Sequence, residues 1–270
     1  MKHLRAERVG YKINYSCVNH SGNRRKSNQD NFICLNQYNK QGDKGHEFSE
    51  PIYGTIGVSR NRLFGVFDGM GGEECGEMAA YIAAKAASMK SLTGVSQSIL
   101  MDFCVNANRE ICEYAKENSI NTMGTTVALL LFSKKRIFLC NLGDSKIFRY
   151  SQGSIVQISQ DHVYGLSVNG KPPLTQYLGI PPSEMEIHPY LSTGSYHEED
   201  IYLICSDGLT DMVSTERISN ILGSRPFPSV AQDLLEEALA NGGKDNITII
   251  TCKIAREHIR IKNLFIKERK

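Results

Sequence analysis

Apolar residues follow two rhythms along this chain, and these rhythms separate predicted strands from predicted helices. Short apolar or alternating runs predict strands at residues 11–19, 32–35, 63–67, 127–132, 136–142, 146–150, 154–159, 186–191, 200–205 and 246–254. Apolar spacings of three and four predict helices at residues 73–90, 95–118, 209–213, 215–222 and 229–240. Residues 36–62, rich in glycine, asparagine and charge, predict a long loop.

The order of these elements limits the fold. Strands and helices do not alternate one by one, so a doubly wound parallel sheet is not favoured. A layered α+β domain with largely antiparallel sheets agrees better with this order. The 270 residues, 41% of them hydrophobic, are enough to bury the core of one large domain. We find no internal repeat and no linker that would divide the chain.

Composition limits the binding partners and the cellular compartment that we expect for this protein. A net charge of +2 is too close to neutral to indicate a nucleic-acid or membrane partner. The eight cysteines form no zinc-type spacing, and five of them lie in apolar runs, which predicts small core residues in a reducing compartment (Cys17, Cys34, Cys140, Cys205 and Cys252). No apolar segment resembles a signal peptide or a membrane span. We therefore predict a cytoplasmic protein.

Acidic residues at the ends of apolar runs are the strongest candidates for chemistry. Asp68 ends the run at 63–67 and is followed by Gly-Met-Gly-Gly, and four others occupy similar places: Asp30, Asp144, Asp207 and Asp245. Each one alone is better explained as a turn or cap residue. Together they predict a cluster of carboxylates, which must bind protons or cations. All-oxygen ligands favour Mg or Mn, and two such ions are a known arrangement for displacement at phosphorus.

The motifs around these aspartates make the chain resemble a known family. They are RKSNQD at 25–30, VFDGMGG at 66–72, GE at 76–77, MGTT at 123–126, NLGDSK at 141–146, DH at 161–162, LTQYLG at 174–179, CSDGLTD at 205–211 and GKDNIT at 243–248. In this order they resemble the metal-dependent Ser/Thr protein phosphatases of the 2C type, the PPM family, and its bacterial members in particular. The resemblance implies a four-layer α-β-β-α sandwich of two mostly antiparallel sheets flanked by helices.

The resemblance also implies roles for individual residues. Asp68 would bridge two Mn or Mg ions and the carbonyl of Gly69 would bind one of them. Asp207 and Asp245 would complete the second site. Asp30 would belong to the same metal cluster, with Gln29 where other members have Glu, and Asp144 would join Asp207 in a weaker third site.

Arg25 is expected to hold the substrate phosphate, because its guanidinium can bind two phosphoryl oxygens at once. With Asp68 it is one of the two predicted catalytic residues. Judged without the family motif, Arg25 is better explained as a surface arginine in a polar loop.

Two further departures from the family pattern matter, one at Met70 and one in the lengths of two loops. Met70 stands where many eukaryotic members have a histidine credited with protonating the leaving group, so the acid is left open between a metal-bound water and His162. An ordinary structural role for His162 is an equal alternative. The flap at 163–173 is short, whereas the loop at 36–62 is long and is a candidate selectivity element.

The division of the chain follows from the motifs and from charge. We predict a single phosphatase domain at 1–255 and a basic tail at 256–270, which carries six basic and two acidic residues. The tail is explained by default as a packed helix or a frayed end, and a docking segment for an acidic partner is the alternative.

The function implied is hydrolysis of phosphoserine and phosphothreonine in proteins by direct attack of a metal-bridging hydroxide. The expected substrates are phosphoproteins made by a Ser/Thr kinase, and the expected state is a monomer. A catalytically silent pseudophosphatase is the main alternative, but its usual mark, a lost metal aspartate, is missing. A two-metal nuclease or phosphodiesterase is disfavoured by the neutral charge.

Overall fold

Two antiparallel sheets stacked face to face form the centre of the protein. The computed structural model describes residues 8–40, 51–70, 75–89, 97–134, 136–165 and 171–259. The strands are β1 (Arg8–His20), β2 (Asn31–Cys34), β3 (Ile52–Gly57), β4 (Arg62–Phe67), β5 (Gly69–Met70), β6 (Gly124–Thr125), β7 (Val127–Phe132), β8 (Ile137–Leu142), β9 (Lys146–Ser151), β10 (Ser154–Gln157), β11 (Tyr190–Gly194), β12 (Ile201–Cys205) and β13 (Ile247–Ile259). The helices are α1 (Cys75–Met89), α2 (Gln97–Glu117), α3 (Asp207–Thr210), α4 (Thr215–Ser224) and α5 (Val230–Ala240).

The sheets are built from strands distant in sequence. The larger sheet has the order β10-β9-β12-β13-β1-β3, and the second has the order β11-β8-β7-β4-β2. The longest pairing joins β1 to β13, from Arg8 opposite Ile259 to His20 opposite Ile247. Strands β5 and β6 form a separate two-stranded ribbon.

The apolar run of β7 shows how one strand serves two cores. All six of its residues are buried. Leu129 and Leu131 pack against α1 and α2, whereas Leu130 and Phe132 face the larger sheet. Because successive side chains point to opposite faces, a strand covered on both sides needs an unbroken apolar run.

Helices cover both outer faces of the stacked sheets. Helices α1 and α2 enclose one core with the second sheet. The alanines of α1, Ala79, Ala83 and Ala87 among them, allow this helix to pack closely. Helices α3, α4 and α5 enclose another core with the larger sheet. The layers are therefore α-β-β-α, and the predicted α+β sandwich is confirmed.

Most predicted elements are present, with three corrections. The predicted loop at 36–62 contains the edge strand β3. Exposed and partly covered residues alternate along it and two of its six residues are glycines, so its apolar pattern was too weak to predict a strand. The strand predicted at 186–191 lies instead at Tyr190–Gly194. The helix predicted at 209–213 begins earlier and is the short turn α3. Residues 41–50 of the predicted loop lie outside the described residues.

The predicted division at 255/256 falls inside a strand. Strand β13 continues to Ile259, and Arg256 and Glu257 pair with Tyr11 and Gly10. The strand boundary therefore lies four residues into the predicted tail. The rest of that tail is outside the described residues, and the division into domain and tail stays a prediction.

Two predictions from composition can be compared with the structure. The five cysteines predicted in the core are buried and free of disulfides. In the described part of the chain, no helix is both long enough and apolar enough to cross a membrane.

Candidate active site

Asp68 is held in place through its backbone at the end of β4. Its N–H donates to the hydroxyl of Thr126 at 3.0 Å, and its carbonyl accepts from the N–H of Thr126 at 2.9 Å. The Thr126 hydroxyl also lies 2.6 Å from the hydroxyl of Ser145, and both of these side chains are buried. A buried hydroxyl shared in this way fixes the strand end, so the Asp68 carboxylate projects from a rigid base.

Two glycines let helix α1 begin directly against this strand end. A Cβ at Gly69 would lie 2.2 Å from the carbonyl oxygen of Gly76, and one at Gly76 would lie 2.7 Å from the carbonyl carbon of Gly69. Any side chain at either position would push the two backbones apart. The GE motif at 76–77 therefore brings the start of α1 close to Asp68.

Asp30 lies deeper than the other carboxylates. One oxygen, Oδ2, accepts from the hydroxyls of Ser206 and Thr248, both at 2.7 Å. The other oxygen, Oδ1, is buried and has no hydrogen-bond partner among the described residues. A buried carboxylate oxygen without a partner destabilises the fold, so Oδ1 is expected to bind a proton or a cation.

Strand ends bring the remaining three aspartates to the same region. Asp207 follows β12 and opens α3, Asp245 precedes β13, and Asp144 lies in the turn between β8 and β9. Strands β12 and β13 are neighbours in the larger sheet, whereas β4 and β8 flank β7 in the second sheet. The carboxylates thus come from both sheets.

Mutual repulsion between these carboxylates appears in their pKa values. Burial, followed by the charges of Asp30, Asp207, Asp144 and Asp245, raises the pKa of Asp68 well above its ordinary value. Burial raises the pKa of Asp30 to about 7, against the hydrogen bonds from Thr248 and Ser206. Burial and the charge of Asp207 raise the pKa of Asp144 to about 6. Asp68 is thus the carboxylate on which the charges of the other four act together.

Two basic side chains lie among the carboxylates. Arg25 binds Asp245 with both prongs, Nε to Oδ1 and Nη2 to Oδ2, each at 2.8 Å. Lys171 Nζ lies 2.5 Å from Asp207, 3.0 Å from Asp211 and 3.3 Å from Asp245. Burial disfavours the charge of Asp245, but Arg25, the N–H of Asn246 and Lys171 together lower its pKa.

The donor set fits divalent cations in its chemistry. It consists of carboxylate oxygens, the pKa values of Asp68, Asp30, Asp144 and Asp207 are raised, and one Asp30 oxygen is buried without a partner among the described residues. Among the described residues, however, no three His, Cys, Asp or Glu side chains form a complete metal-binding group. Part of the negative charge is balanced instead by Arg25 and Lys171.

Comparison with known proteins agrees with this geometry. Residues 53–247 match the family model for protein phosphatase 2C. The chain belongs to the protein phosphatase 2C family. The serine/threonine protein phosphatase PstP of Mycobacterium tuberculosis is 32% identical over 72% of this chain, and the match covers 40% of PstP. The chain thus spans about two fifths of that relative.

Two further comparisons extend this family assignment. The serine/threonine phosphatase stp of Listeria welshimeri is 29% identical over 68% of this chain and 81% of its own length. A solved structure of the PstP catalytic domain, described as a complex with two manganese ions, superposes with a TM-score of 0.72 at 25% identity, covering 91% of this chain and 99% of that chain. These likenesses reach beyond the matched motifs to the whole sandwich.

The structure places the other predicted residues of this 2C-family protein near the site. The Gln29 N–H donates to Oδ1 of Asn246 at 2.8 Å, and Met70 pairs with Gly124 in the small ribbon. His162 is anchored by its backbone, donating to Gly143 and accepting from Thr175. These anchoring bonds fit the ordinary structural role, and a catalytic role for the His162 side chain stays a prediction.

Sequence reasoning missed four residues that shape the site. Lys171 lies in the predicted flap and Asp211 lies at the end of a family motif. Neither follows an apolar run, which was the pattern used to select site residues. Thr126 and Asn246 stood inside family motifs without an assigned role. Asn246 accepts from the N–H of Gln29 and donates to the carbonyls of Ser21 and Ser27, so it holds the loop that carries Arg25.

Proposed function

We propose that this chain is a divalent-metal-dependent protein serine/threonine phosphatase. The observation that carries the proposal is that the charges of four other aspartates, from both sheets, raise the pKa of Asp68, in a chain of the 2C family. A relative of this family, PstP, has been solved with two manganese ions, which supports Mn or Mg as the cofactor here. The choice between Mn and Mg, and a third ion at Asp144 and Asp207, stay predictions.

The residues that would hold the metals are the predicted ones. Asp68, the carbonyl of Gly69 and Asp30 lie on the side of β4 and β2, and Asp207 and Asp245 lie on the side of β12 and β13. When bound, two divalent ions would activate water for attack on phosphorus and neutralise the phosphoryl oxygens. The carboxylates supply negative charge that only cations or protons can balance.

Arg25 supplies the substrate contact in this proposal. Its side chain is 53% exposed, and its guanidinium already adopts a two-pronged geometry on the Asp245 carboxylate. A phosphate presents oxygens with a similar spacing, so the same fork can bind it. The loop that carries Arg25 is fixed by Asn246, which positions the guanidinium beside the aspartates.

The residue at position 70 cannot protonate the leaving group. Met70 carries no exchangeable proton, so an alkyl leaving group must take its proton from another source. An aryl leaving group needs little protonation and should be less affected. We therefore expect para-nitrophenyl phosphate to be hydrolysed readily.

The proposed substrates are phosphoserine and phosphothreonine in proteins modified by a Ser/Thr kinase. The relatives' names support this class. The catalytically silent alternative is not favoured, because none of the five aspartates is replaced. A monomeric state, a cytoplasmic location and selection by residues 36–62 stay predictions. Part of that segment is strand β3.

Phosphate release from a phosphothreonine peptide tests the proposal. The metal-stripped protein should be inactive, Mn or Mg should restore turnover, and EDTA should abolish it again. A phosphotyrosine peptide of the same sequence serves as the control for residue class. Activity that survives complete metal removal would contradict the proposal, as would folded protein that releases no phosphate with either metal.

A further inference from the structure

Lys171 lies on the side of the acidic site that Asp207 and Asp245 form. Its Nζ contacts the carboxylates of Asp207, Asp211 and Asp245 at 2.5, 3.0 and 3.3 Å. Two of these three, Asp207 and Asp245, are the residues assigned to the second metal ion. The ammonium group thus lies on two oxygens that a divalent cation would need, Oδ2 of Asp207 and Oδ2 of Asp245, and it shares the second with Arg25.

This arrangement differs from an ordinary surface ion pair. Exposed pairs contribute little because water competes for both charges. Here Asp207 is buried, and one lysine serves three carboxylates that come from two separate segments. The Lys171 side chain is 48% exposed, so its stem can swing outward without disturbing a packed core.

A carboxylate oxygen cannot give its full charge to an ammonium and to a metal ion at the same position. Two positive charges a few ångströms apart also repel each other. A metal ion bound by Asp207 and Asp245 therefore requires the Lys171 ammonium to move away.

We propose that Lys171 is an internal competitor for the metal ion that Asp207 and Asp245 bind. The inference rests on the proposed function for the identity of those ligands. In the metal-free protein Lys171 acts as the counter-ion that keeps these aspartates paired. Metal binding displaces it, so the observed affinity is lower than the intrinsic affinity of the carboxylates.

The loss of metal affinity depends on the fraction of molecules in which Lys171 is away from Asp207 and Asp245. If the site is free of Lys171 only about one tenth of the time, the observed dissociation constant is about tenfold higher than the intrinsic one. Removal of the ammonium should recover this factor. The same change should weaken the metal-free protein, because three carboxylates lose their shared counter-ion.

The chain offers a matched control for this effect. Lys171 and Lys244 both line a cavity of about 250 Å³ beside the site, together with Gly208, Asp211, Met212 and Asp245. Lys244 is exposed and has no ion-pair partner among the described residues. Lys244→Gln therefore removes the same charge from the same cavity without removing a contact to a carboxylate.

Binding of Mn to the metal-stripped protein, followed by electron paramagnetic resonance and calorimetry without substrate, tests the inference. We expect Lys171→Gln to tighten one class of bound Mn by about tenfold and Lys244→Gln to change it less than twofold. In EDTA, the unfolding midpoint of Lys171→Gln should fall by about 2–4 °C, whereas Lys244→Gln should leave it unchanged. Lys171→Arg, which keeps the charge, should retain the weaker wild-type affinity.

Each alternative result has a distinct meaning. Equal Mn affinities for Lys171→Gln and Lys244→Gln would overturn the role of Lys171 and leave the metal-dependent phosphatase intact. Weaker Mn binding in Lys171→Gln would also overturn it, since the lysine would then assist metal binding. If none of the proteins bound Mn, both this inference and the proposed metal dependence would fall.

Discussion

Arg25 binds the carboxylate of Asp245 through two parallel hydrogen bonds of 2.8 Å, across 220 positions of sequence. This pair joins the loop before β2 to the loop before β13 at the rim of the site. The side chain of Asp245 is 23% exposed and that of Arg25 is 53% exposed, so water reaches both groups. The contact therefore orients the guanidinium and contributes little to the stability of the fold.

Arg25→Ala should impair substrate binding more than the chemical step. The guanidinium meets a phosphate that is charged in both the ground state and the transition state, so its loss weakens both. We expect KM for a phosphothreonine peptide to rise by about tenfold or more, with a smaller fall in kcat. Arg24→Ala, in the exposed neighbouring position, is the control. A fall in kcat at unchanged KM would contradict the assignment.

Thr126 should act as a positioning residue for Asp68. Thr126→Val keeps the shape but removes the hydroxyl that accepts from the Asp68 N–H and pairs with Ser145. Loss of a buried hydrogen bond of this kind costs about 1–3 kcal/mol. We expect weaker Mn binding and a lower kcat, with the fold retained by circular dichroism. Thr122→Val, at an exposed position, should change neither, and unchanged Mn affinity in Thr126→Val would refute the role.

Asp30 should make the metal-free protein less stable as pH rises. Burial raises the pKa of Asp30 to about 7 from an ordinary 3.8, so the folded state holds a proton that the unfolded state releases. Stability therefore falls as pH rises between these two values. Asp30→Asn resembles the neutral form and should be more stable than wild type at pH 8 by about 4 kcal/mol, but nearly equal at pH 4.

Urea unfolding in EDTA at both pH values measures this difference. Asp102→Asn, on the exposed part of α2, is the control for loss of one negative charge. A constant difference between Asp30→Asn and wild type across this range would show that the carboxyl does not titrate as described.

The sequence predicted the strands best where burial left an unbroken apolar run. Strand β7 was found because both of its faces are covered, and an unbroken run of that kind leaves little ambiguity. Strand β3 was missed because its core-facing side has only two apolar side chains, Ile52 and Ile56, and the strand also contains two glycines and a threonine. The ribbon of β5 and β6 has only two residues per strand, too few for any periodic signal.

The site was predicted only through its strand-end aspartates and family motifs. The position of Asp68 follows from where β4 ends, a local property of sequence. The position of Lys171 depends on how residues before Leu174 return to the acidic cluster, which no local pattern encodes. The same is true of Asn246, whose partners at Ser21 and Ser27 are more than two hundred residues away.

Replacement of Asp68 tests the central claim most directly. The measurement is the rate of phosphate release from a phosphothreonine peptide in excess Mn, for wild type and for Asp68→Asn, with Asp102→Asn as the control. Asn keeps the size and the backbone contacts to Thr126 but removes the charge that the metals require. We predict a loss of at least about a hundredfold in kcat for Asp68→Asn, equivalent to about 2.7 kcal/mol of transition-state stabilisation, and wild-type turnover in the control. Wild-type turnover in Asp68→Asn would contradict the account.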